Sequence, residues 1–323
     1  MKTVYVYTTI ILALLMLFLP LVSTSEPKVV QVGVDLPGLD TESVLSETKS
    51  GITEIRVYMT EEKSVKRFST EDYIFGVVAA EMPALYEVEA LKAQAVAAYT
   101  YAAHKIENSK KEDYDITDSY KTDQAFITKE EARNKWGENA DEYESKIRDA
   151  VKSVLYEKIT YSGKTILSAY HAISSGQTES AAESWGESYP YLCSVQSSGD
   201  KLSPNYLSKV ELTATELETK LSDLVSFSGD ESKYFGKAEL TKAGAVKSIA
   251  LCDKSVSGSD IRSALELRSS NFEVSYNDGK FTFTVYGYGH GLGMSQYGAH
   301  YMAMQGSNYK EILMHYYTDC KVE

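Results

Sequence analysis

The sequence predicts an α+β fold on three features. Helical patterns gather between residues 70 and 155, strand-like runs succeed one another between 236 and 286, and the regular strand–helix alternation of a parallel winding is missing. The expected body is a mixed or largely antiparallel sheet with helices packed against it, forming a groove. Composition agrees with a globular protein, since 24% of the 323 residues are charged and 43% are apolar. The 46 acidic residues outweigh 33 basic ones for a net charge of −13, and no Lys/Arg block stands out, so nucleic acid is not an expected partner. The three cysteines, Cys193, Cys252 and Cys320, lie far apart, which allows at most one disulfide and argues against a cysteine-rich zinc module.

The chain opens with an uncharged stretch from Thr3 to Ser25, nearly all apolar over Ile10–Leu19, with Lys2 before it and Glu26 after it. It is long enough to stay in a bilayer as a single-pass anchor, it lacks an A-x-A cleavage site, and Lys2 fits the positive-inside tendency. Residues 1–25 are therefore expected to be the anchor, 26–50 a tether containing a strand at Val29–Val34, and 51–323 the body, lying outside the cytoplasm at the membrane and facing the cell wall.

Within the body, Ile55–Met59 is strand-like, and Ser69-Thr70-Glu71-Asp72 supplies capping oxygens and early acids for a helix that must end near Pro83. A second helix, from Glu87 through Ala102, has an alanine-rich face suited to close packing. Residues 129–154 carry more helix with mixed charge, and Ser162-Gly163 marks a hairpin between Lys158–Tyr161 and Thr165–Tyr170. A helix near 214–224, strands at 236–241, 245–251, 272–276 and 281–286, and helices at 294–305 and 308–316 complete the pattern.

Short motifs for familiar chemistry fail here. Gly163-Lys164-Thr165 lacks the earlier glycine of a phosphate-binding loop, because Lys158 stands there. Gly287, Gly289, Gly291 and Gly293 do not make a dinucleotide fingerprint; such a run suits a tight turn or a close backbone approach to a ligand. His171 near Ser174 and Ser175 has no nucleophile elbow and no identifiable acid partner.

Three longer blocks carry a resemblance. Val77-Val78-Ala79-Ala80-Glu81-Met82-Pro83 with Glu89-Ala90-Leu91-Lys92-Ala93-Gln94-Ala95 comes first. Ser168-Ala169-Tyr170-His171, Ser174-Ser175-Gly176-Gln177-Thr178-Glu179, Trp185-Gly186 and Tyr189-Pro190-Tyr191-Leu192 follow. Gly289-His290-Gly291-Leu292-Gly293-Met294-Ser295-Gln296-Tyr297-Gly298-Ala299, then Ile312-Leu313-Met314-His315-Tyr316-Tyr317, close the set. In this order they resemble the stage II sporulation protein D family across residues 71–320.

The resemblance implies a lytic transglycosylase, which cuts peptidoglycan glycan strands without adding water and leaves 1,6-anhydro-muramic ends, in septal wall degradation during engulfment. The sugar's own 6-hydroxyl is the nucleophile, so one carboxyl can serve where glycosidases use two. The implied catalytic acid and base is Glu81, at a helix C-terminal end among Ala79, Ala80, Met82 and Pro83, where dipole and desolvation disfavour the anion. Glu87 and Glu89 open the next helix, where free N–H groups favour it. Lys92, Gln124, His171, Ser175, Trp185, His290, Ser295 and Gln296 are expected to line the glycan groove. No cofactor and no obligatory metal are expected, with His171 and His290 the leading ligands for any metal. Other cell-wall hydrolases and engulfment proteins are the implied partners. Two positions depart from the family pattern: Tyr99 replaces an arginine, and Thr122-Asp123 stands where some members have His-Cys. These departures leave a second expectation open, a non-catalytic activator of a cell-wall amidase, with a peptide-binding wall adaptor third.

Overall fold

The computed structural model describes residues 51–108 and 113–323, which belong to one compact unit, Lys49–Glu323. The expected anchor, the tether and the Val29–Val34 strand lie outside the described residues. Among the described residues no helix is long and apolar enough to cross a membrane.

The fold is α+β. Strand β1 (Glu54–Met59) pairs antiparallel with β2 (Ser64–Ser69), a strand the sequence pattern did not mark because its exposed residues alternate with half-buried ones. Ser69 caps helix α1 (Thr70–Glu81) by accepting the Asp72 N–H at 3.1 Å. The helix stops where Met82 turns extended ahead of Pro83, as the restriction on a residue preceding proline requires. Helix α2 (Val88–Asn108) runs through the centre of the body, and its alanines let α1 and the later helices approach closely. Burying Leu91 on it stabilises the fold by roughly 1.5–3 kcal/mol.

Strand β3 (Ile116–Thr117) then adds parallel to β1. The helical stretch expected over 129–154 is two helices, α3 (Lys129–Trp136) and α4 (Ala140–Ser153), divided at Gly137, whose φ of 56° ends the first. Ser162 and Gly163, both at positive φ, turn β4 (Ile159–Tyr161) into β5 (Lys164–Thr165), the turn chemistry the sequence announced. The second arm is shorter than expected: the chain leaves this sheet, and β6 (Tyr170–His171) pairs elsewhere.

Between Leu207 and Tyr286 the chain builds an insert with its own apolar core. It contains β7 (Leu207–Thr213), α5 (Ala214–Leu221), β8 (Phe235–Leu240), β9 (Val246–Leu251), β10 (Lys254–Ser257), α6 (Gly258–Leu265), β11 (Phe272–Asn277) and β12 (Lys280–Tyr286). These strands form two antiparallel sheets, β10-β9-β8 and β11-β12-β7. The chain then returns to the surrounding lobe through β13 (Met294–Ser295), α7 (Gln296–Met304), α8 (Tyr309–Tyr316) and β14 (Lys321–Val322). Strand β13 pairs parallel with β6, and β14 pairs antiparallel with β4. The single sheet expected from the pattern is thus five small ones among the described residues, mostly antiparallel. The cysteines form no disulfide: Cys193 is exposed, Cys252 half-buried and Cys320 buried.

Candidate active site

Glu81 is the last residue of α1, so its side chain sits at the negative end of the helix dipole. Its Oε1 accepts the Ala125 backbone N–H at 3.0 Å, and its Oε2 accepts from Nε2 of Gln296 at 3.0 Å. Both donors are neutral. Burial raises the Glu81 pKa above the usual glutamate value, and the two hydrogen bonds only partly offset this.

The donors come from far along the chain. Ala125 follows Gln124, which is buried and makes three bonds of its own. Its Nε2 donates to the Tyr73 hydroxyl at 2.9 Å and to the Ala98 carbonyl at 3.3 Å, and its Oε1 accepts the Tyr170 hydroxyl at 2.7 Å. Gln124 therefore fixes the backbone that holds Glu81. Gln296 is placed by β13, which lies against β6, and its Nε2 also reaches Oε1 of Gln94 at 3.4 Å. Glu81, Gln124 and Gln296 are thus brought together, with Tyr170 and Gln94 as members the expected set did not include. Gln94 left a signal in the sequence, being an uncharged polar side chain set between Ala93 and Ala95 on the alanine-rich α2.

His171, His290 and Trp185 form a second group. Consecutive strand residues face opposite ways; Tyr170 turns to Gln124, while His171 turns to the Leu292 carbonyl, 3.0 Å from its Nδ1. A carbonyl can only accept, so Nδ1 carries the proton and Nε2 is a bare acceptor, buried without a partner. Burial and the neighbouring His290 lower the His171 pKa to about 3. The His171 and His290 rings lie 5.8 Å apart, and Trp185, 43% exposed, lies 6.3 Å from His290 and 5.9 Å from Tyr189. His290 Nδ1 accepts the Leu292 N–H at 3.0 Å. Among the described residues no group of three or more His, Cys, Asp or Glu is placed to hold a metal ion.

The remaining expected groove residues are engaged elsewhere. Lys92 pairs with Glu89 at 2.8 Å and lies over the Tyr309 ring. Ser175 donates to the Ala243 carbonyl of the insert at 2.8 Å. Ser295 is fully buried; it caps α7 through the Gly298 N–H and donates to Oδ1 of Asp200 at 2.8 Å, and Oδ2 of Asp200 takes the Ser174 hydroxyl. Ser295 is out of reach of a polymer, and Asp200, which no motif flagged, is the centre of a structural network.

Other residues marked in the sequence have partners of their own. The four glycines of the run all have positive φ, as a tight turn needs, and they pack closely on the protein's own chain: a Cβ on Gly289 would lie 2.7 Å from that of His171, and one on Gly293 would collide with the Ala169 carbonyl. Tyr99 faces away from Glu81, its hydroxyl accepting the Ile52 N–H at 3.2 Å and its ring meeting Tyr156. Asp123 takes the Thr117 N–H at 2.9 Å and pairs with Lys105 at 2.8 Å. The segments that meet at Glu81 and Gln296 also stack Tyr86 on His300, with ring centres 4.3 Å apart.

The described geometry can be set beside known proteins. The sequence profile described as Stage II sporulation protein matches residues 58–161, the stretch running from β1 through Glu81 and Ala125 to β4. Stage II sporulation protein D of Bacillus subtilis (strain 168) is 37% identical over 277 residues, covering 85% of this chain and 80% of that protein. The chain belongs to the stage II sporulation protein D family. Another stage II sporulation protein D, from Bacillus amyloliquefaciens, is 36% identical over 291 residues, or 87% of this chain and 84% of its own. Similarity also extends to a protein named Amidase enhancer from Bacillus subtilis (strain 168), 29% identical over 296 residues but covering only 39% of that longer protein. In this family member the carboxyl at the end of α1 is held by neutral donors alone.

Proposed function

We propose that the chain is a peptidoglycan lytic transglycosylase in which Glu81 is the only proton carrier. The observation that carries this reading is the Glu81 carboxyl itself, desolvated, at a helix C-terminus, held by an amide N–H and a side-chain amide with no cation in its hydrogen-bond set. A carboxyl so placed retains a proton to higher pH than an exposed one and can donate it. The protonated Glu81 gives its proton to the glycosidic oxygen as the bond to C1 of the muramic sugar breaks. The resulting carboxylate takes the proton of the 6-hydroxyl as that oxygen bonds to C1. Glu81 ends as it began, and no water is consumed.

Trp185 and Tyr189 offer aromatic faces to a sugar polymer, and His290 lies beside them. In this reading Gln124 and Gln296 orient the carboxyl. Residues 1–25 hold the body at the membrane facing the wall, in the company of other wall hydrolases and engulfment proteins. If deleting residues 1–25 leaves the protein in the membrane fraction, that placement is wrong.

The similarity to a protein named Amidase enhancer supports a second reading, activation of an amidase without glycan cutting. One assay separates the two. The protein incubated alone with denuded glycan strands should release anhydro-muramic products, and Glu81→Gln should cut that release at least about 100-fold with the fold intact. An activator would be silent until an amidase and peptide-bearing wall were added. Near-normal product from a folded Glu81→Gln protein would exclude Glu81 as the acid.

A further inference from the structure

Gln94 lies wholly inside the body on α2, with its Oε1 facing Gln296 and its Nε2 buried without an acceptor. A buried amide N–H₂ with no acceptor is an uncommon and unfavourable arrangement. It becomes intelligible when the two protonation states of Glu81 are followed through the amides.

With Glu81 ionised, Gln296 Nε2 donates to Oε2 and also faces Gln94 Oε1, and the Gln94 N–H₂ is stranded. With Glu81 protonated on Oε2, its new O–H needs an acceptor, and an amide nitrogen cannot serve. Oε1 is already committed to the Ala125 N–H. Turning the Gln296 amide by half a revolution presents its oxygen to the O–H with almost no change of shape. That oxygen would then confront Gln94 Oε1, acceptor against acceptor, unless Gln94 turns as well. When both have turned, Gln94 Nε2 gains the Gln296 oxygen as its acceptor. What then lacks a partner is a carbonyl oxygen, which is tolerated better than a stranded donor.

We propose that the Gln94 and Gln296 amides turn together as Glu81 gains and loses its proton, which makes Gln94 a positioning residue that favours the protonated acid. No proton passes to either amide; only their orientation changes. The proposal rests on the reading of Glu81 as acid and base. The charged and titratable groups around the network do not replace this device. Tyr73 on α1 and Tyr170 on β6 are phenols whose own pKa values are raised, chiefly by burial and in part by the Glu81 charge. Lys135 on α3 donates to the Ala79 carbonyl at 3.3 Å, Lys92 on α2 is paired with Glu89, and His300 on α7 is stacked on Tyr86.

The test reads protonation rather than product, so it stands apart from the question of glycan cutting. In the full chain held in detergent micelles, the Glu81 carboxyl carbon is followed by NMR through a pH titration and assigned by its loss in Glu81→Gln. The side-chain N–H₂ signals of Gln94 and Gln296 are followed in the same samples. Both amides should shift with the Glu81 midpoint, and Gln94→Met should lower that midpoint by about one pH unit, a tenfold change in proton affinity. Gln94 amide signals that stay constant while Glu81 titrates would overturn the proposal, as would a folded Gln94→Met protein with an unmoved midpoint. If Gln94→Met fails to fold, the amide signals of the unaltered chain decide. A coupled titration in a protein that cuts no glycan would sink the transglycosylase reading and leave the coupling standing.

Discussion

The insert from Leu207 to Tyr286 and the lobe around it solve the burial problem differently. The insert buries Phe272, Phe281 and Phe283 with aliphatic partners, and its buried polar side chains, Thr241 and Ser269, bond at its edges to Glu179 and to the Tyr286 carbonyl. The surrounding lobe buries Gln94, Gln124, His171, Asp200, Ser295 and Gln296 among its apolar groups. Buried polar groups cost stability unless paired, and they confer orientation when they are. The lobe that carries Glu81 therefore invests in direction, and the insert in cohesion.

The comparison is broken most forcefully at Phe283, which is fully buried. Phe283→Ala should lower unfolding free energy by about 3–5 kcal/mol in chemical denaturation. A loss under about 1 kcal/mol would mean that the aromatic cluster is not what holds the insert. Next comes Asp200, fully buried and receiving the Ser174 N–H at 2.9 Å and the Ser295 hydroxyl at 2.8 Å. Asp200→Ala should cost about 1.5–3 kcal/mol. Asp200→Asn should cost less, because burial raises the Asp200 pKa and the charge itself is unfavourable there. Equal losses for the two variants would show that the neutral amide cannot stand in for the carboxylate and that both Asp200 oxygens are needed as acceptors.

The smallest effect sharpens the contrast at Glu81. Its folded pKa lies above the usual glutamate value because the carboxyl is buried, so the folded chain binds this proton more tightly than the unfolded chain. Its contribution to stability is complete below that value and is lost as pH rises through the folded pKa. Glu81→Gln should therefore raise the melting temperature at about pH 7 and leave it unchanged near pH 4. A lower melting temperature at neutral pH would contradict the direction of the shift.

Sequence pattern revealed most where structure is local. The cap at Ser69, the stop before Pro83, the Ser162-Gly163 turn and the late hairpin strands all depend on neighbours within a few residues. Strand β2 and helix α6 escaped notice because their apolar alternation is weak or short. The site divides in the same way. The helix-end setting of Glu81 was legible, whereas its bond to Gln296 joins positions 215 residues apart and has no local trace. Lys92 and Gln94 show the limit of motif reasoning. They are two residues apart on one helix, hence about 200° apart around it, and only Gln94 turns toward the acid.

The return from the insert runs along the strip between Ala169 and Glu179 at a separation that leaves no room for a side chain, since a Cβ at Gly293 would meet the Ala169 carbonyl and one at Gly291 would meet Glu179. This contact acts as a weld. A displacement of the insert must pass this contact before it can reach β13 and Gln296, so the Glu81 partner is insulated from movement in the neighbouring core.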